Sequence, residues 1–520
     1  MKAEKIDLSD THAFTSFFLD YVAGKEVLRP FYGQPPQISS FAAQIREKKS
    51  FSAQHRLVLQ QSLQVQYANI KLTEPVSVNL ARLAEPNTFT ITTGHQLNIL
   101  TGPLYFIYKI VTVINACRQL SRAYPEYHFV PVYWMASEDH DYDEIKSFRL
   151  HGKKYTWETN QTGAVGRFST AGLADLVQTL PGDNRVFAEA YARNNKLSDA
   201  VRQYVDAMFG EHGLLVVDAD DTQLKKLFVP AIEQDVIHRA FQKPVEAQTG
   251  ALQQFGYHTQ VNAREINFFY LREHIRSRIE KTDEGFSVVD TALNFSVTEM
   301  GDLIKKEPEI FSPNVVMRPL YQEMILPNLA YVGGPAEMVY WLQLKPVFDH
   351  MQVLFPILLP RNFGLIIDPV FHRKMKKTGL THGEIFLNTA ALADLFTRRL
   401  SAHSISLEDE LTRLREQFNS IQTKTKRIDA SLDRLVEAER HRAEKSLAKI
   451  EKKMLKAEKR KHTDALRQLE EIKNALFPNG SLQERTDNVL NFYHGNPNLL
   501  SDLLNTLDAF DVRMHVMWYD

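Results

Sequence analysis

A single cysteine, Cys117, in 520 residues excludes an internal disulfide and any zinc site built from several thiolates. Excess charge of either sign is also lacking. Lys and Arg total 62 against 63 Asp and Glu, a formal net charge of -1, which argues against a general nucleic-acid binder. No uninterrupted apolar run is long enough to span a bilayer. The opening MKAEKIDLSD lacks the apolar core of a signal peptide, so a reducing cytoplasm is the expected location. The chain has no G-x-G-x-x-G, no Walker A loop and no H-E-x-x-H, and no G-x-S-x-G elbow. Nicotinamide dehydrogenases, P-loop ATPases, common metalloproteases and serine hydrolases are thereby disfavoured. Cys117 itself, inside an apolar helical stretch, reads as a small core residue.

What is present is the composition of a globular protein, 44% hydrophobic and 24% charged, long enough for about three structural units. Residues 1–86 read as a mainly helical segment packing on a core, with Phe14, Phe17, Phe18 and Tyr21 at helical spacing. Residues 87–400 read as an α/β core with insertions near 151–210 and 240–312. Residues 401–476 read as a coiled coil and 477–520 as a segment returning to the core, where His515–Tyr519 suits a last strand.

Two stretches of the α/β region carry the chemistry. In the first, the β-prone run Phe89–Thr92 ends in Thr93-Gly94-His95-Gln96. A loop with Thr101-Gly102-Pro103 follows, and a helical pattern starts at Leu104 with Pro103 in its first turn. Open α/β sheets bind ligands at such strand ends, and exposed N–H groups at a helix start favour an anion. In the second, Asn314 to Arg361, a strand at Ala330–Val332 runs into Gly333-Gly334-Pro335 and then a helix carrying Glu337, Tyr340 and Trp341. Arg361, at the end of the candidate strand Phe355–Arg361, suits a carboxylate or phosphate. The two stretches are expected to share one site.

Two acidic clusters follow apolar strands. Phe129–Met135 ends in Glu138-Asp139-His140-Asp141, with Asp143 and Glu144 beyond. The alternating acids imitate the start of a calcium loop, but Glu144 stands where glycine is required and Leu150 where glutamate is required. Helix capping accounts for part of this cluster; no tightly bound metal is expected. Leu214–Val217 ends in Asp218-Ala219-Asp220-Asp221. Its D-x-D suits a metal-bound nucleotide sugar, giving a glycosyltransferase as one alternative function, and Asp221 suits a helix N-cap.

From Leu407 to Leu435, Leu411, Leu414, Phe418, Ile421, Thr425, Ile428 and Leu432 recur four and three apart, a sustained heptad. It reads either as a nearly continuous coil or as an antiparallel hairpin turning near Asp429-Ala430-Ser431. The exposed seam predicts a homodimer through the coiled coil; a non-catalytic coiled-coil scaffold is the other alternative function.

Several of these blocks, in order over nearly the whole chain, resemble one family, the bacillithiol biosynthesis cysteine-adding enzymes (BshC). They are Thr93-Gly94-His95-Gln96 with Leu100–Tyr105, Glu138-Asp139-His140-Asp141, Arg318-Pro319-Leu320 with Gln322, Tyr331–Glu337 with Tyr340-Trp341, and Phe477-Pro478 with Leu482–Arg485. One departure is Ala336, where glycine is commoner in the family. The resemblance implies a Rossmann-like parallel-sheet core with connecting insertions and a C-terminal α-helical coiled coil. It implies a ligase adding L-cysteine to the amino group of glucosaminyl malate, the last step of bacillithiol biosynthesis. An unactivated carboxylate is a poor electrophile, so ATP with magnesium is the expected source of activation.

On that basis His95 and Gln96, with the Thr101-Gly102 backbone, are expected to stabilise an activating phosphate or oxyanion. Glu138, Asp139 or His140 are expected to bind an ammonium group or serve as base. Asn314, Arg318, Glu337 and Trp341 are expected to line the pocket, with Arg318 or Arg361 gripping malate carboxylates. Thr93, Gly94, Tyr105, Trp134, Gln322, Gly333, Gly334 and Tyr340 complete the expected substrate or nucleotide site. No nucleic-acid or membrane partner is expected.

Overall fold

The computed structural model describes residues 1–519. The chain forms two compact units. The first comprises residues 1–9, 13–365 and 481–517; the second comprises 10–12, 366–480 and 518–519. The second unit thus begins at Ile366 rather than at the heptad. Its helices Pro369–Thr378 and Thr389–Leu400 pack on the later helices of that unit.

The first unit is built on a five-stranded parallel sheet: β1 (Thr88–His95), β2 (His128–Met135), β3 (Leu215–Asp218), β4 (Asn328–Gly333) and β5 (Ile357–Pro360). Read across the sheet, the strand order is β3-β2-β1-β4-β5. The winding direction reverses between β1 and β4, so a crevice is expected beyond the carboxyl ends of those two strands. All five strands are buried almost throughout, as parallel strands covered on both faces must be. On one face Phe89, Ile91, Ala330, Val332, Ile357 and Leu359 pack with Val113, Ala116, Cys117 and Leu120 of helix α1 (Tyr105–Ala123). Phe41 and Ile45 of the N-terminal helix Phe41–Lys48 join the same core. Cys117 is buried there, as a core residue.

Three helices besides α1 bear on the site: α2 (Thr222–Val236), α3 (Arg318–Ile325) and α4 (Pro335–His350). Asp221 caps α2, its carboxylate accepting the N–H groups of Gln223 at 2.8 Å and Leu224 at 3.0 Å. The first insertion contributes a hairpin, Ser147–Leu150 with Lys153–Thr156, and three helices; the second contributes helix Gln242–Gln254 and a five-stranded antiparallel sheet within 268–313. The tail strand, Met514–Trp518, forms a three-stranded sheet with Lys2–Ile6 and Phe363–Ile367.

Two local readings are corrected. Thr93-Gly94-His95 belongs to β1 and not to the loop, because these residues pair with Tyr133, Trp134 and Met135 of β2. Pro103 precedes α1, which starts at Tyr105. Leu100, Thr101 and Gly102 all have positive φ (48°, 69° and 61°), so the chain is turned away from helical geometry before Pro103.

In the second unit the heptad resolves as the hairpin. Helices Glu408–Ile428 and Asp433–Lys461 are joined by a short turn at Ala430–Leu432 and pack on each other. Arg415 bonds Glu444 at 3.1 Å and Gln422 bonds Asp433 at 2.6 Å across the pair. Among the described residues no helix is long and apolar enough to cross a membrane.

Candidate active site

A cleft of about 860 Å³ opens at the carboxyl ends of β1, β2 and β4, at the reversal of strand order. Its floor is basic. Lys109, one turn into α1 and buried, donates to the Gly94 carbonyl at 2.8 Å and pairs with Glu337 at 2.5 Å. Glu337, in the first turn of α4, also accepts the Gly334 N–H at 2.8 Å and the Tyr331 hydroxyl at 2.6 Å. Burial opposes its charge, but Lys109 and these hydrogen bonds hold its carboxyl below the usual range. Arg318, first residue of α3, lies over the rings of Tyr331 and Trp341 at 5.4 and 5.9 Å and donates to Gln322 at 3.2 Å. Arg361, just past β5, is paired end-on with Glu484 at 2.6 and 3.0 Å.

Three buried nitrogens of cleft-lining residues have no hydrogen-bond partner: His95 Nε2, Arg318 Nη2 and Arg361 Nε. Burying polar nitrogens unpaired is costly unless a ligand supplies acceptors, and all three residues line the cleft. Burial, with Lys109 adding to it, lowers the His95 imidazole to about 3, so it is neutral at physiological pH. Its ring is held against Tyr105 and Phe106, with centroids 5.3 and 5.1 Å away.

The opposite wall is acidic. Glu138, 7% exposed, is bonded at 2.5 Å to Lys225 of α2, which also donates to the Phe311 carbonyl at 2.6 Å. Burial outweighs that cation and pushes the Glu138 carboxyl up to about 7. Asp139 accepts from Gln96 Nε2 at 3.2 Å and from the His140 N–H at 2.8 Å, and it faces Arg276 at 3.4 Å. Burial opposes its ionisation, yet the His140 bond and Arg276 hold it well below the usual carboxylate range. Arg276 comes from the antiparallel sheet of the second insertion. It lies over Phe269 and bonds His140 Nδ1 at 2.5 Å and Ser312 at 3.0 Å. Thus one wall offers hydrogen-bond donors to an anion, and the other offers carboxylates to an amine, one of them poised near neutral pH for proton transfer.

Two family models match the chain. A family model described as "Bacillithiol biosynthesis BshC, N-terminal Rossmann-like domain" matches residues 1–362, and one described as "Bacillithiol biosynthesis BshC, C-terminal coiled-coil domain" matches 364–519. The chain belongs to the BshC family. A relative from Cytophaga hutchinsonii is 40% identical over 513 residues, 98% of each chain; one from Flavobacterium psychrophilum is 39% identical over 532 residues, 99% of this chain and 100% of the relative. Both carry the name "Putative cysteine ligase BshC". A solved structure from Campylobacter jejuni, described as a "putative arginyl t-RNA synthetase", covers 84% of this chain and 99% of its own at 11% identity; its TM-score of 0.20 is too low to carry an argument.

Against this family background the expected residues divide. Gly94, His95, Gln96, Tyr105, Trp134, Glu138, Asp139 and His140 line the cleft, as do Asn314, Arg318, Gly334, Glu337, Tyr340 and Arg361. Thr93, Thr101, Gly102, Gln322, Gly333 and Trp341 do not. Thr93 donates its hydroxyl to the Val332 carbonyl at 2.8 Å, between strands. Thr101 and Gly102 sit in a buried turn whose Leu100 and Gly102 carbonyls are held by Asn488 at 2.7 Å each, and the Leu104 N–H bonds Asp487 O. That helix start therefore meets a protein acceptor instead of a phosphate. Gln322 and Trp341 lie behind Arg318 and support it. The D-x-D carboxylates are also engaged: Asp220 by Arg167 at 2.6 and 2.7 Å, Asp218 by Ser137 and the Asp220 N–H. No free carboxylate pair remains there for a metal-bound sugar nucleotide.

Lys109, Lys225 and Arg276 escaped the sequence reading. Lys109 did carry a signal, being the sole charge in the apolar run Leu104–Cys117; Arg276 resembled its solvated neighbours. Gly94 has a steric role as well. A Cβ there would lie 3.2 Å from both Arg318 Nη1 and the Tyr331 hydroxyl. Gly94→Ala is expected to displace the Arg318 guanidinium and weaken anion binding about tenfold, a loss of roughly 1.4 kcal/mol. Titration calorimetry with a dicarboxylate checks this, and unchanged affinity would contradict the steric role.

Proposed function

We propose that the chain is a cysteine ligase that forms an amide between the carboxyl of L-cysteine and the amino group of glucosaminyl malate, the last step of bacillithiol biosynthesis. The observation that carries this reading is the pairing, across one cleft, of three unpartnered buried nitrogens with a wall of carboxylates. Membership of the family, whose relatives are named putative cysteine ligases, supports a cysteine-adding reaction. Arg318 and Arg361 take the malate carboxylates, since guanidinium groups match them geometrically. Asp139 holds an ammonium group, and Glu138 accepts the proton released as the amine nitrogen bonds to the carbonyl carbon of the activated cysteine carboxyl, while the C–O bond to the activating phosphate group breaks and that group leaves. His95 donates to the oxygen on which charge develops.

ATP with magnesium is the proposed source of carboxyl activation, and with Arg318 and Arg361 taken by malate the unpartnered His95 Nε2 is the donor left for the activated group. The reading is tested by supplying the gene to a strain lacking this ligase and measuring bacillithiol by mass spectrometry. Restored thiol supports it; accumulation of glucosaminyl malate with no bacillithiol, from a folded and expressed protein, refutes it.

A homodimer through the coiled-coil hairpin belongs to the same proposal. Ile421, Ile428 and Leu435 remain 43%, 81% and 57% exposed on the hairpin, which suits a second copy of the same seam. Replacing Ile428 and Leu435 with glutamate is expected to give monomers by light scattering. A wild-type protein that is already monomeric at micromolar concentration would remove the idea.

A further inference from the structure

The segment that re-enters the first unit at residue 481 touches the cleft from an unexpected side. Glu484 is 1% exposed and 123 residues from its partner in sequence, yet both its oxygens bond Arg361, and Oε2 also accepts the Gly364 N–H at 3.2 Å. Arg361 Nη1 further donates to the Asn362 carbonyl at 2.8 Å. The rings of Phe363 and Tyr105, at 4.6 and 5.3 Å, fix the plane of the guanidinium. With both terminal nitrogens held, Nε is the edge left over. It is buried without a partner, and it faces the β4–α4 turn, where a Cβ on Gly334 would lie 3.6 Å from it. Three and four residues further on, Asp487 and Asn488 fix the turn between β1 and α1. One short stretch after the second unit therefore holds both Arg361 and the turn between β1 and α1.

We propose that Glu484 is a positioning residue that locks Arg361 end-on and turns its Nε edge toward the cleft, to receive a carboxylate of the malyl group. This rests on the reading of the cleft as a glucosaminyl malate site. An end-on pair is geometrically demanding: a side chain that cannot accept two parallel N–H bonds lets the guanidinium rotate. The effect should therefore fall on binding of the dicarboxylate and spare cysteine.

The experiment uses the full chain, with L-malate as the binding probe in calorimetry and both substrates in steady-state kinetics. Glu484→Gln is expected to raise the malate Kd and the KM for glucosaminyl malate about tenfold or more, with the KM for cysteine unchanged and kcat nearly so, the signature of lost ground-state binding. Glu484→Asp should recover part of the loss. The double variant Arg361→Gln with Glu484→Gln buries no unpaired charge. It should melt near the wild-type temperature and still bind malate poorly. Wild-type affinity in the folded single or double variant overturns the positioning role, as does an equal loss for both substrates. A wild-type protein that binds no malate and consumes no glucosaminyl malate overturns the role together with the reading of the cleft.

Discussion

Replacing His95 with asparagine is expected to lower turnover roughly 100-fold or more, the usual loss when one preorganised charge-stabilising donor is removed, while the melting temperature stays close to that of the wild type. Position supports the first half. His95 ends β1, its ring is clamped by Tyr105 and Phe106, and its Nε2 is buried at the cleft with no protein partner. The second half follows from the same orphaned nitrogen, because deleting an atom that bonds nothing leaves no other group unsatisfied.

The titration gives an independent check. The imidazole is lowered to about 3 by burial and Lys109, so no rate change near pH 6.5 belongs to it. A depressed folded pKa means that the native state holds fewer protons than the unfolded chain between about 3 and 6.5. His95 therefore gives stability that is present above the unfolded value and lost as pH falls toward the folded one. The asparagine variant should resist acid slightly better in that window. A folded variant that forms bacillithiol at the wild-type rate would remove His95 from the chemistry.

Much of this site was legible because it is built from strand ends, whose sequence signature is an apolar run stopping at polar residues. Phe89–Thr92, Phe129–Met135 and Ala330–Val332 announced β1, β2 and β4 in that way, and His95, Glu138 and Glu337 came with them. What stayed hidden depends on contacts that no local pattern encodes. Lys225 reaches Glu138 from 87 residues away, Arg276 reaches Asp139 from 137, and Glu484 reaches Arg361 from 123. The turn Leu100–Gly102 misled for a related reason. A glycine followed by proline resembles a phosphate-binding helix start, but here the positive φ angles and the Asn488 side chain fold it inward. The heptad was a true signal of apolar packing. Periodicity left a continuous coil and a hairpin turning near Asp429 both open, and the structure turns the chain back at Ala430–Leu432.

Glu138→Gln is the variant expected to be most damaging, with turnover falling roughly 100- to 10,000-fold, the range for loss of a general base. In the wild type, burial exceeds the influence of Lys225 and raises Glu138 to about 7. A base must be deprotonated to act, so the rate should rise with pH through about 7 and level off above it, and that limb should vanish in the variant. The stability effect has the opposite sense. A raised folded pKa means the native state holds the proton longer than the unfolded chain, so this contribution is full below about 4.5 and lost as pH rises through about 7.

Glutamine alone confounds two causes, because it leaves Lys225 buried without a counter-charge, a change that typically costs about 3–5 kcal/mol. Pairing it with Lys225→Met removes the buried charge, at the expense of the Phe311 carbonyl's donor. The double variant is expected to recover most of the melting temperature and none of the turnover, since packing is restored and the base is not. Should turnover return along with stability, Glu138 serves the fold alone, and the amine's proton must leave by way of Asp139 or His140.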